Sequence, residues 1–527
     1  MNRAYCNSCH NLVHARPETR DNRVFLVKDC PSCGRTETII SADAERYALK
    51  RSLDPGYNYT GCMLNCLECN HKARPTFVFV DVTNRCNLNC PICINNTPSM
   101  GFVFEPPMEY FDRIFRDLAR YSPPPTVQLF GGEPTVRDDL FEIIDLSRSY
   151  GLPTRVVTNG LKLADEDYCS RLVRSRATIL IAYDGSTPDI YRVLRGSTNA
   201  LRLKEKALEN VRKAGAAKVA LMTCVAKGFN DKELPALLSF CHQRKDYIRG
   251  IYFMPLAHTW DPRAFSLNPQ RITGEDIESA VNDCFPDVRV EFIPAGILGE
   301  ISTVMRHLKI KPPPFAGAHP NCESLYLLVS DGNTYVPLDA LLRKPATELI
   351  RALLQVEKKL RRSAAALECN LAGRILRTVG LAQSYLSLRA GLSVAWTLRR
   401  HANLARVLKG LGISKAWHAA AALAGLLAGR KTRDVLQHHT TIREVFQIII
   451  LPFEDRFVLE TERLERCPNA FAFWDPQDDA VKTIPVCAWG RHKTSVLHRI
   501  ADHYAAAASA LAGAPAGNTV QSPASST

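Results

Sequence analysis

The chain contains the stretch Phe77-Val-Phe-Val-Asp-Val-Thr-Asn-Arg-Cys86-Asn-Leu-Asn-Cys90-Pro-Ile-Cys93, around which the rest of its organisation can be understood. The apolar, β-branched run from Phe77 to Val82 predicts a buried strand. Three cysteines with C-x3-C-x2-C spacing follow it. Three thiolates can hold three corners of a cubane 4Fe-4S cluster and leave the fourth iron open to a small chelating ligand. The spacing alone also fits a structural zinc site or a ferredoxin loop.

Five more apolar runs follow this loop, separated by segments of helix length. They cover residues 126–130, 154–158, 177–183, 218–225 and 248–254. Strands that alternate with helices predict an α/β fold with a parallel sheet. In such folds the chemistry takes place on loops at the carboxyl ends of the strands, where Cys86 to Cys93, Glu133, Asn159 and Asp184 fall.

The cysteine loop and the Gly131-Gly132-Glu133-Pro134 element resemble the radical S-adenosylmethionine (SAM) superfamily. The resemblance implies a partial (β/α)6 barrel in which Cys86, Cys90 and Cys93 hold a 4Fe-4S cluster whose open iron binds SAM. In that superfamily the reduced cluster splits SAM to a 5′-deoxyadenosyl radical, which removes a hydrogen atom from an unactivated carbon.

The resemblance also implies which residues contact the cofactors. These residues are Cys86, Cys90, Cys93, Ile92, Gly131, Gly132, Glu133, Asn159 and Asp184. Ile92 departs from many relatives, which place an aromatic residue there against adenine. No residue is assigned as a catalytic acid or base, because hydrogen abstraction is the chemistry of the cofactor.

The N-terminal region carries two C-x2-C knuckles, Cys6-Asn-Ser-Cys9 and Cys30-Pro-Ser-Cys33. Two such knuckles at this distance predict one tetrahedral four-cysteine site for a single Zn or Fe ion. The second knuckle is similar to those of rubredoxins. Two roles stay open for this module: a zinc ribbon that only stabilises the fold, or a relay for single electrons.

A second C-x3-C-x2-C motif, formed by Cys62, Cys66 and Cys69, precedes the main one. The residues before this motif are typical of a turn and predict no strand. We therefore assign the motif to an auxiliary iron-sulfur cluster. Distant cysteines would complete that cluster, and the candidates are Cys322, Cys467 and Cys487. These six ligands allow either one complete auxiliary cluster with spare cysteines or two clusters with a ligand still to be found.

Residues 341–440 are strongly basic, with eighteen Lys plus Arg against four Asp plus Glu, a net charge of +14 that equals the charge of the whole chain. The sequence of this segment is typical of helices and mixes basic residues with Leu, Ala and Trp. This composition favours helices that lie on an anionic membrane surface. A solvated helical face and a nucleic-acid site are the alternatives. The segment has no KH or RRM signature, which argues against RNA.

Location follows from the same composition. The sequence has no apolar run of eighteen residues and no secretory signal, and its eighteen cysteines are clustered as metal-binding motifs. We therefore expect a protein of the reducing cytoplasm, peripherally associated with the inner face of the membrane.

The predicted division of the chain has six parts. Residues 1–50 form a rubredoxin-like or zinc-ribbon-like module, 51–75 an auxiliary cluster segment, 76–300 the radical SAM barrel, 301–340 with 446–500 a C-terminal auxiliary cluster region, 341–445 the basic helical membrane-surface segment, and 501–527 a disordered tail.

This order of modules resembles the radical SAM family that includes the archaeal tetraether lipid synthase. The resemblance implies a carbon-carbon bond formed between two lipid tails, a lipid substrate at the membrane surface, and a low-potential electron donor such as ferredoxin or flavodoxin. Two other hypotheses stay open. The first is a radical SAM methylase or maturase acting on a soluble substrate such as a pterin or peptide. The second is a non-enzymatic iron-sulfur or zinc protein that binds RNA.

Overall fold

A computed structural model describes residues 2–54, 56–69, 71, 73–95, 100–215, 218–260, 265, 267–310 and 315–512. The N-terminal part is an antiparallel four-stranded sheet in the order β1-β2-β3-β4, followed by one helix. Its elements are β1 (Arg3–Tyr5), β2 (Leu12–Arg20), β3 (Arg23–Cys30), β4 (Gly34–Ser41) and α1 (Ala44–Ser52).

The central part alternates strands and helices as the sequence predicts. Its elements are β5 (Phe77–Thr83), α2 (Met108–Leu118), β6 (Thr126–Gly131), α3 (Leu140–Ser149), β7 (Thr154–Thr158), α4 (Glu166–Arg174), β8 (Thr178–Ala182), α5 (Pro188–Arg195), α6 (Ala200–Ala214), β9 (Val219–Val225), α7 (Leu234–Gln243), β10 (Ile248–Pro255) and α8 (Gly274–Asp283). Strands β5 to β10 pair in sequence order and run parallel. The predicted six-stranded α/β core is therefore confirmed.

The chain after the core returns to the same sheet. Its elements are β11 (Ile293–Pro294), α9 (Ser302–His307), β12 (Ser324–Ser330), β13 (Tyr335–Pro337), α10 (Ala346–Cys369), α11 (Leu371–Thr378), α12 (Ala382–His401), α13 (Leu404–Val407), α14 (Ile413–Leu427), α15 (Thr432–His439), β14 (Glu444–Ile450), α16 (Thr461–Glu465), β15 (Asn469–Asp475), β16 (Ala480–Pro485) and α17 (Val486–Ala512). Strand β14 pairs with β10 and β15 pairs with β5. Because both edges of the core are occupied in this way, they cannot pair with each other and the barrel stays open.

Segments 301–340 and 446–500, predicted as the C-terminal auxiliary cluster region, supply β12, most of β14 and β15 to the central sheet. Strand β5 lies between β6 and β15, and all seven of its residues are buried. They include Asp81, which accepts hydrogen bonds from Trp489 Nε1 at 2.9 Å and Lys493 Nζ at 3.2 Å. Both partners belong to α17, so this buried carboxylate fixes the last helix to the core.

Helices α10 to α15 form the segment inserted between β13 and β14. A small apolar core joins them to α9 and includes Val304, Leu308, Leu360, Leu386 and Ala390. Within the described ranges, every helix is too short or too polar to cross a bilayer.

Candidate active site

A cavity reaches from the inner face of the parallel strands to their carboxyl ends. Cys86, Cys90 and Cys93 line it, as do three cysteines from the chain after the core, Cys322, Cys467 and Cys487. Its remaining wall is largely aromatic and aliphatic. Together with the solvent at its open mouth it contains about 1620 Å³ of empty space. Its position at the carboxyl ends of the strands is where ligands bind in folds of this class.

Two glycines fix the cysteine loop against the next strand. A Cβ added to Gly131, whose φ is +133°, would lie 2.1 Å from the Thr83 carbonyl oxygen, and one on Gly132 would lie 2.1 Å from that of Arg85. The backbone N–H groups of Gly132 and Glu133 donate to the same two oxygens at 2.7 and 2.8 Å. The GGEP element therefore holds the start of the cysteine loop in place, a contact that any side chain would prevent.

The three cysteines of this loop are free thiols; Cys86 is exposed, and Cys90 and Cys93 are partly buried. Partial desolvation of its sulfur raises the pKa of Cys86 to about 12, and the nearby Glu133 carboxylate adds to the effect. Burial likewise raises the pKa of Cys90, while the Arg195 guanidinium beside it opposes that rise. Metal binding to such thiols must release protons. Ile92 is buried and lines the cavity as a small apolar contact.

Glu133 lines the cavity but is only 1% exposed. Its Oε1 accepts hydrogen bonds from the Thr135 N–H at 3.1 Å and from the hydroxyls of Thr135 and Thr158 at 2.6 Å, and its Oε2 accepts from the Asn159 N–H at 2.6 Å. These bonds occupy the acceptor positions of a carboxylate. In the structure Glu133 joins the ends of β6 and β7.

Asn159 lies at the cavity wall, and its Nδ2 donates to Asn87 Oδ1 of the cysteine loop at 2.7 Å. Asp184 is instead fully buried and forms a two-pronged ion pair with Arg195, both contacts being 2.7 Å. Burial alone would raise the pKa of Asp184, but the charge and hydrogen bonds of Arg195, the charge of Lys204 and the Cys224 N–H together lower that pKa. Arg195, and not Asp184, lines the cavity.

Arg195 and Lys204 are residues that the sequence reasoning missed. Lys204 Nζ donates to the carbonyl oxygens of Ala182, at 2.6 Å, and Asn159, and so connects the ends of β7 and β8. One signal was available for Arg195. A buried aspartate at the end of a strand requires a cation, and a helix rich in arginine follows directly.

The N-terminal cysteines Cys6, Cys9, Cys30 and Cys33 form a compact group whose sulfur atoms all lie within 4.8 Å of one another. Four bonds of about 2.3 Å to one tetrahedral ion would place the sulfurs roughly 3.8 Å apart, and Cys9 Sγ and Cys30 Sγ are 3.6 Å apart. Backbone N–H groups of Cys9 and Ser8 lower the pKa of Cys6 to about 6. The geometry fits the predicted single-ion site.

The other predicted ligands fall into two separate groups of three. Burial raises the pKa of Cys66 to about 12, with the charges of Cys69 and Cys62 as further contributions. Glu465 holds this loop by accepting the N–H groups of Gly61 at 3.0 Å and Cys62 at 2.8 Å. The completion of this group by a distant cysteine stays a prediction.

Cys322, Cys467 and Cys487 instead form the second group, at the cavity. Burial raises the pKa of Cys322 well above its usual range, and the nearby Cys467 and Cys487 also contribute. Several buried polar atoms around them have no hydrogen-bond partner among the described residues, namely Asn321 Nδ2 and Oδ1, Glu323 Oε2 and Asn469 Oδ1. Such orphaned atoms require an explanation, and a bound charged group is one. Three cysteines at one cavity wall could hold three corners of an iron-sulfur cluster.

Comparison with known proteins agrees with this geometry. Residues 80–241 match the radical SAM superfamily, and residues 2–42 match the HMPTM N-terminal zinc ribbon domain. The chain is 33% identical over 348 residues to the 7,8-dihydro-6-hydroxymethylpterin dimethyltransferase of Methanocaldococcus jannaschii. The aligned region covers 63% of this chain and 69% of that relative.

Two shorter similarities concern the radical SAM part. The GTP 3′,8-cyclase of Marinobacter nauticus is 30% identical over 183 residues, 34% of this chain and 54% of that protein. The Fe-coproporphyrin III synthase of Methanosarcina barkeri is 28% identical over 216 residues, 40% of this chain and 49% of that protein. The chain thus spans about half the length of each.

These relatives overturn one expectation from the sequence. The predicted coupling of two lipid tails and the assignment to the tetraether lipid synthase family are wrong, because the relative that shares most of the chain is named as a pterin dimethyltransferase. The order of modules misled us because it is shared by proteins with different substrates. The chain belongs to the radical SAM superfamily, in the pterin dimethyltransferase-like family with an N-terminal zinc ribbon.

Proposed function

We propose that the protein is a radical SAM methylase that acts on a small pterin or a closely related ring compound. The observation that carries the proposal is the 33% identity to a pterin dimethyltransferase over 63% of the chain. The cavity supports it, because flat aromatic walls suit a flat ring. The contributing side chains are Phe77, Phe79, Phe130 and Tyr252.

In this proposal Cys86, Cys90 and Cys93 would hold the 4Fe-4S cluster, which together with SAM would supply the radical chemistry for hydrogen abstraction. Arg195, oriented by Asp184, would offer its guanidinium to the SAM carboxylate. Ile92 would serve as an apolar contact for the adenine, and the backbone of Gly131, Gly132 and Glu133 would be available to the SAM amino group. The apolar wall excludes water from the reacting atoms.

The two other cysteine groups are proposed as auxiliary iron-sulfur clusters. Cys62, Cys66 and Cys69 would hold one, and Cys322, Cys467 and Cys487 the other. Each group supplies three ligands, so each cluster would have one iron without a cysteine. For the N-terminal site we propose zinc, since residues 2–42 match a zinc ribbon.

Two further expectations from the sequence stay proposals. A low-potential donor such as ferredoxin or flavodoxin supplies the electron for SAM cleavage. The protein works in the cytoplasm against the inner face of the membrane, supported by the net charge of +14 in residues 341–440.

The test is anaerobic reconstitution with iron and sulfide, followed by incubation with SAM, dithionite and 7,8-dihydro-6-hydroxymethylpterin. Mass spectrometry should show 5′-deoxyadenosine together with a pterin that has gained one or two methyl groups. Isotopic labelling of the SAM methyl group would identify the carbon source. If 5′-deoxyadenosine forms while the pterin stays unchanged, the radical SAM chemistry stands and the pterin assignment is lost.

A further inference from the structure

Helix α12 carries an apolar stripe that faces away from the protein. Its members are Leu381, Tyr385, Leu388, Leu392 and Trp396, whose spacing of three or four residues places them on one face of the helix. All five are exposed, and Trp396 is 59% exposed. Of the sixteen large hydrophobic side chains exposed within the described part of the chain, twelve lie between residues 371 and 417.

This stripe is not a core face left partly covered, because α12 already packs through its other side. Leu386 and Ala390 are buried in the small core shared with α10 and α9. A Cβ on Gly391 would lie 3.2 Å from Leu427 and 3.3 Å from Leu423 of α14. The helix is therefore apolar on two sides, one of which is turned outward.

The neighbouring helices repeat the pattern. In α11 the exposed residues Leu371, Ile375 and Val379 follow each other at intervals of four. At the start of α14, Ile413 and Trp417 are 90% and 62% exposed. An exposed apolar area of this extent marks an interaction site.

Cations lie directly on the stripe. Arg389 Nη1 donates to the Tyr385 hydroxyl at 3.0 Å, and the Arg400 guanidinium lies 5.7 Å from the centre of the Trp396 ring. Arginine beside exposed Tyr, Trp and Leu is the composition of helices that lie in a bilayer interface. A second copy of the chain would bring two segments of charge +14 together, which repulsion opposes. A nucleic acid would complement the positive charge of the segment, but its phosphate backbone would not bury the exposed leucines.

We propose that α12 binds an anionic lipid bilayer, with its Leu381–Trp396 stripe in the interface and the surrounding arginines on the lipid headgroups. The inference deepens the proposed peripheral location and is independent of the reaction in the cavity. The proposal specifies the face of α12 that contacts the bilayer, and it requires that the bilayer contain anionic lipid.

The experiment is flotation of the reconstituted full chain with vesicles of phosphatidylcholine alone or mixed with phosphatidylglycerol. We expect binding to the mixed vesicles, weakened by salt, with little binding to phosphatidylcholine. The double variant Leu388→Glu/Leu392→Glu should bind at least about tenfold more weakly, since each change removes the interfacial burial of a leucine. Arg389→Glu/Arg400→Glu should also weaken binding, and it should reduce the dependence on salt.

Val103→Glu is the matched control, because Val103 is 64% exposed and lies outside the helical segment. It should bind as the unaltered protein does. Iron content and 5′-deoxyadenosine formation should be the same in all variants, which shows that they fold and separates this test from that of the pterin reaction. Equal binding to both vesicle types, undiminished binding by the leucine variant, or binding of a single-stranded RNA in place of vesicles would overturn the proposal.

Discussion

The N-terminal cysteines and the cysteines at the cavity differ in number and in surroundings. Cys6, Cys9, Cys30 and Cys33 form a complete set of four, in which backbone N–H groups lower the pKa of Cys6 to about 6 and the Cys9 thiol contributes most to raising the pKa of Cys33 to about 12. Cys322, Cys467 and Cys487 are only three, and burial raises the pKa of each thiol. The first group can enclose one ion by itself. The second offers three thiols whose protons a bound metal group would have to displace.

The difference assigns the two regions distinct tasks. A closed tetrahedral site offers no open position to a substrate, which is typical of a structural metal. A three-cysteine site on a cavity wall leaves one iron accessible. We therefore expect substitutions in the ribbon to affect stability and substitutions at the cavity to affect chemistry.

The largest expected effect is the loss of SAM cleavage in Cys86→Ala, and Cys9→Ala in the ribbon is the variant with which it is compared. Loss of Cys86 removes a ligand of the SAM cluster, so 5′-deoxyadenosine formation should fall to background. Loss of Cys9 should release the ribbon metal and leave SAM cleavage with dithionite unchanged. Metal analysis and product quantification by chromatography measure both. If Cys9→Ala lost activity with flavodoxin as the electron donor but kept it with dithionite, the ribbon would be an electron relay. The ribbon metal would then not be purely structural.

Next in size is the loss of iron caused by Cys467→Ala. The reconstituted variant should contain about four fewer iron atoms per chain than the unaltered protein, since one cluster cannot assemble. Cys224→Ala is the matched control, because Cys224 also lines the cavity but belongs to none of the three three-cysteine groups. Iron analysis and Mössbauer spectroscopy give the readout. Equal iron in all three proteins would show that this group holds no cluster.

A smaller effect is expected from Arg463→Met at the same place. Arg463 is buried, forms an ion pair with Glu454 at 3.1 Å, and donates from Nη2 to Cys322 Sγ at 3.4 Å. Burial raises the pKa of Glu454 to about 8, so above that pH the removal of Arg463 leaves a buried carboxylate without a cation, which typically lowers the free energy of unfolding by about 3–5 kcal/mol. Anaerobic denaturant unfolding measures the loss, and Arg463→Lys should recover part of it. An unchanged midpoint would mean that Glu454 is neutral in the folded protein.

The parts of this site that the sequence predicted are local. Strand β5, the cysteine loop and the GGEP turn are each determined by neighbouring residues, and the structure has them where the spacing indicates. The edge strands were not predictable in the same way, because β15 joins β5 through pairs such as Asn469 with Phe77. Such pairs depend on packing across most of the chain.

The grouping of cysteines failed to emerge from the sequence for the same reason. Spacing identified Cys322, Cys467 and Cys487 as candidates, but nothing local separates a ligand of the Cys62 loop from a ligand at the cavity. Asp184 illustrates a contact that local sequence does not reveal. The resemblance implies a cofactor contact for it, which stays a prediction, and the structure adds its ion pair with Arg195.

The smallest loss of stability and activity should come from Asp184→Asn. Asp184 orients Arg195, the proposed SAM contact, and is not itself a ligand. Asparagine keeps the shape and accepts one bond from Arg195, so we expect a loss of about 2 kcal/mol in the free energy of unfolding. The KM for SAM should rise more than kcat falls, because Arg195 remains but is less well oriented. Arg195→Lys should show the same kinetic pattern.

The pH dependence of stability separates this role from simple packing. The folded pKa of Asp184 lies below its ordinary value of 3.8, so the ionised carboxylate stabilises the fold. That contribution is complete above pH 3.8 and is lost as the pH falls through the folded pKa. The difference in unfolding free energy between the unaltered protein and Asp184→Asn should therefore be constant near neutrality and shrink in acid. A difference that stays constant into acid would show that Asp184 acts through its shape and not through its charge.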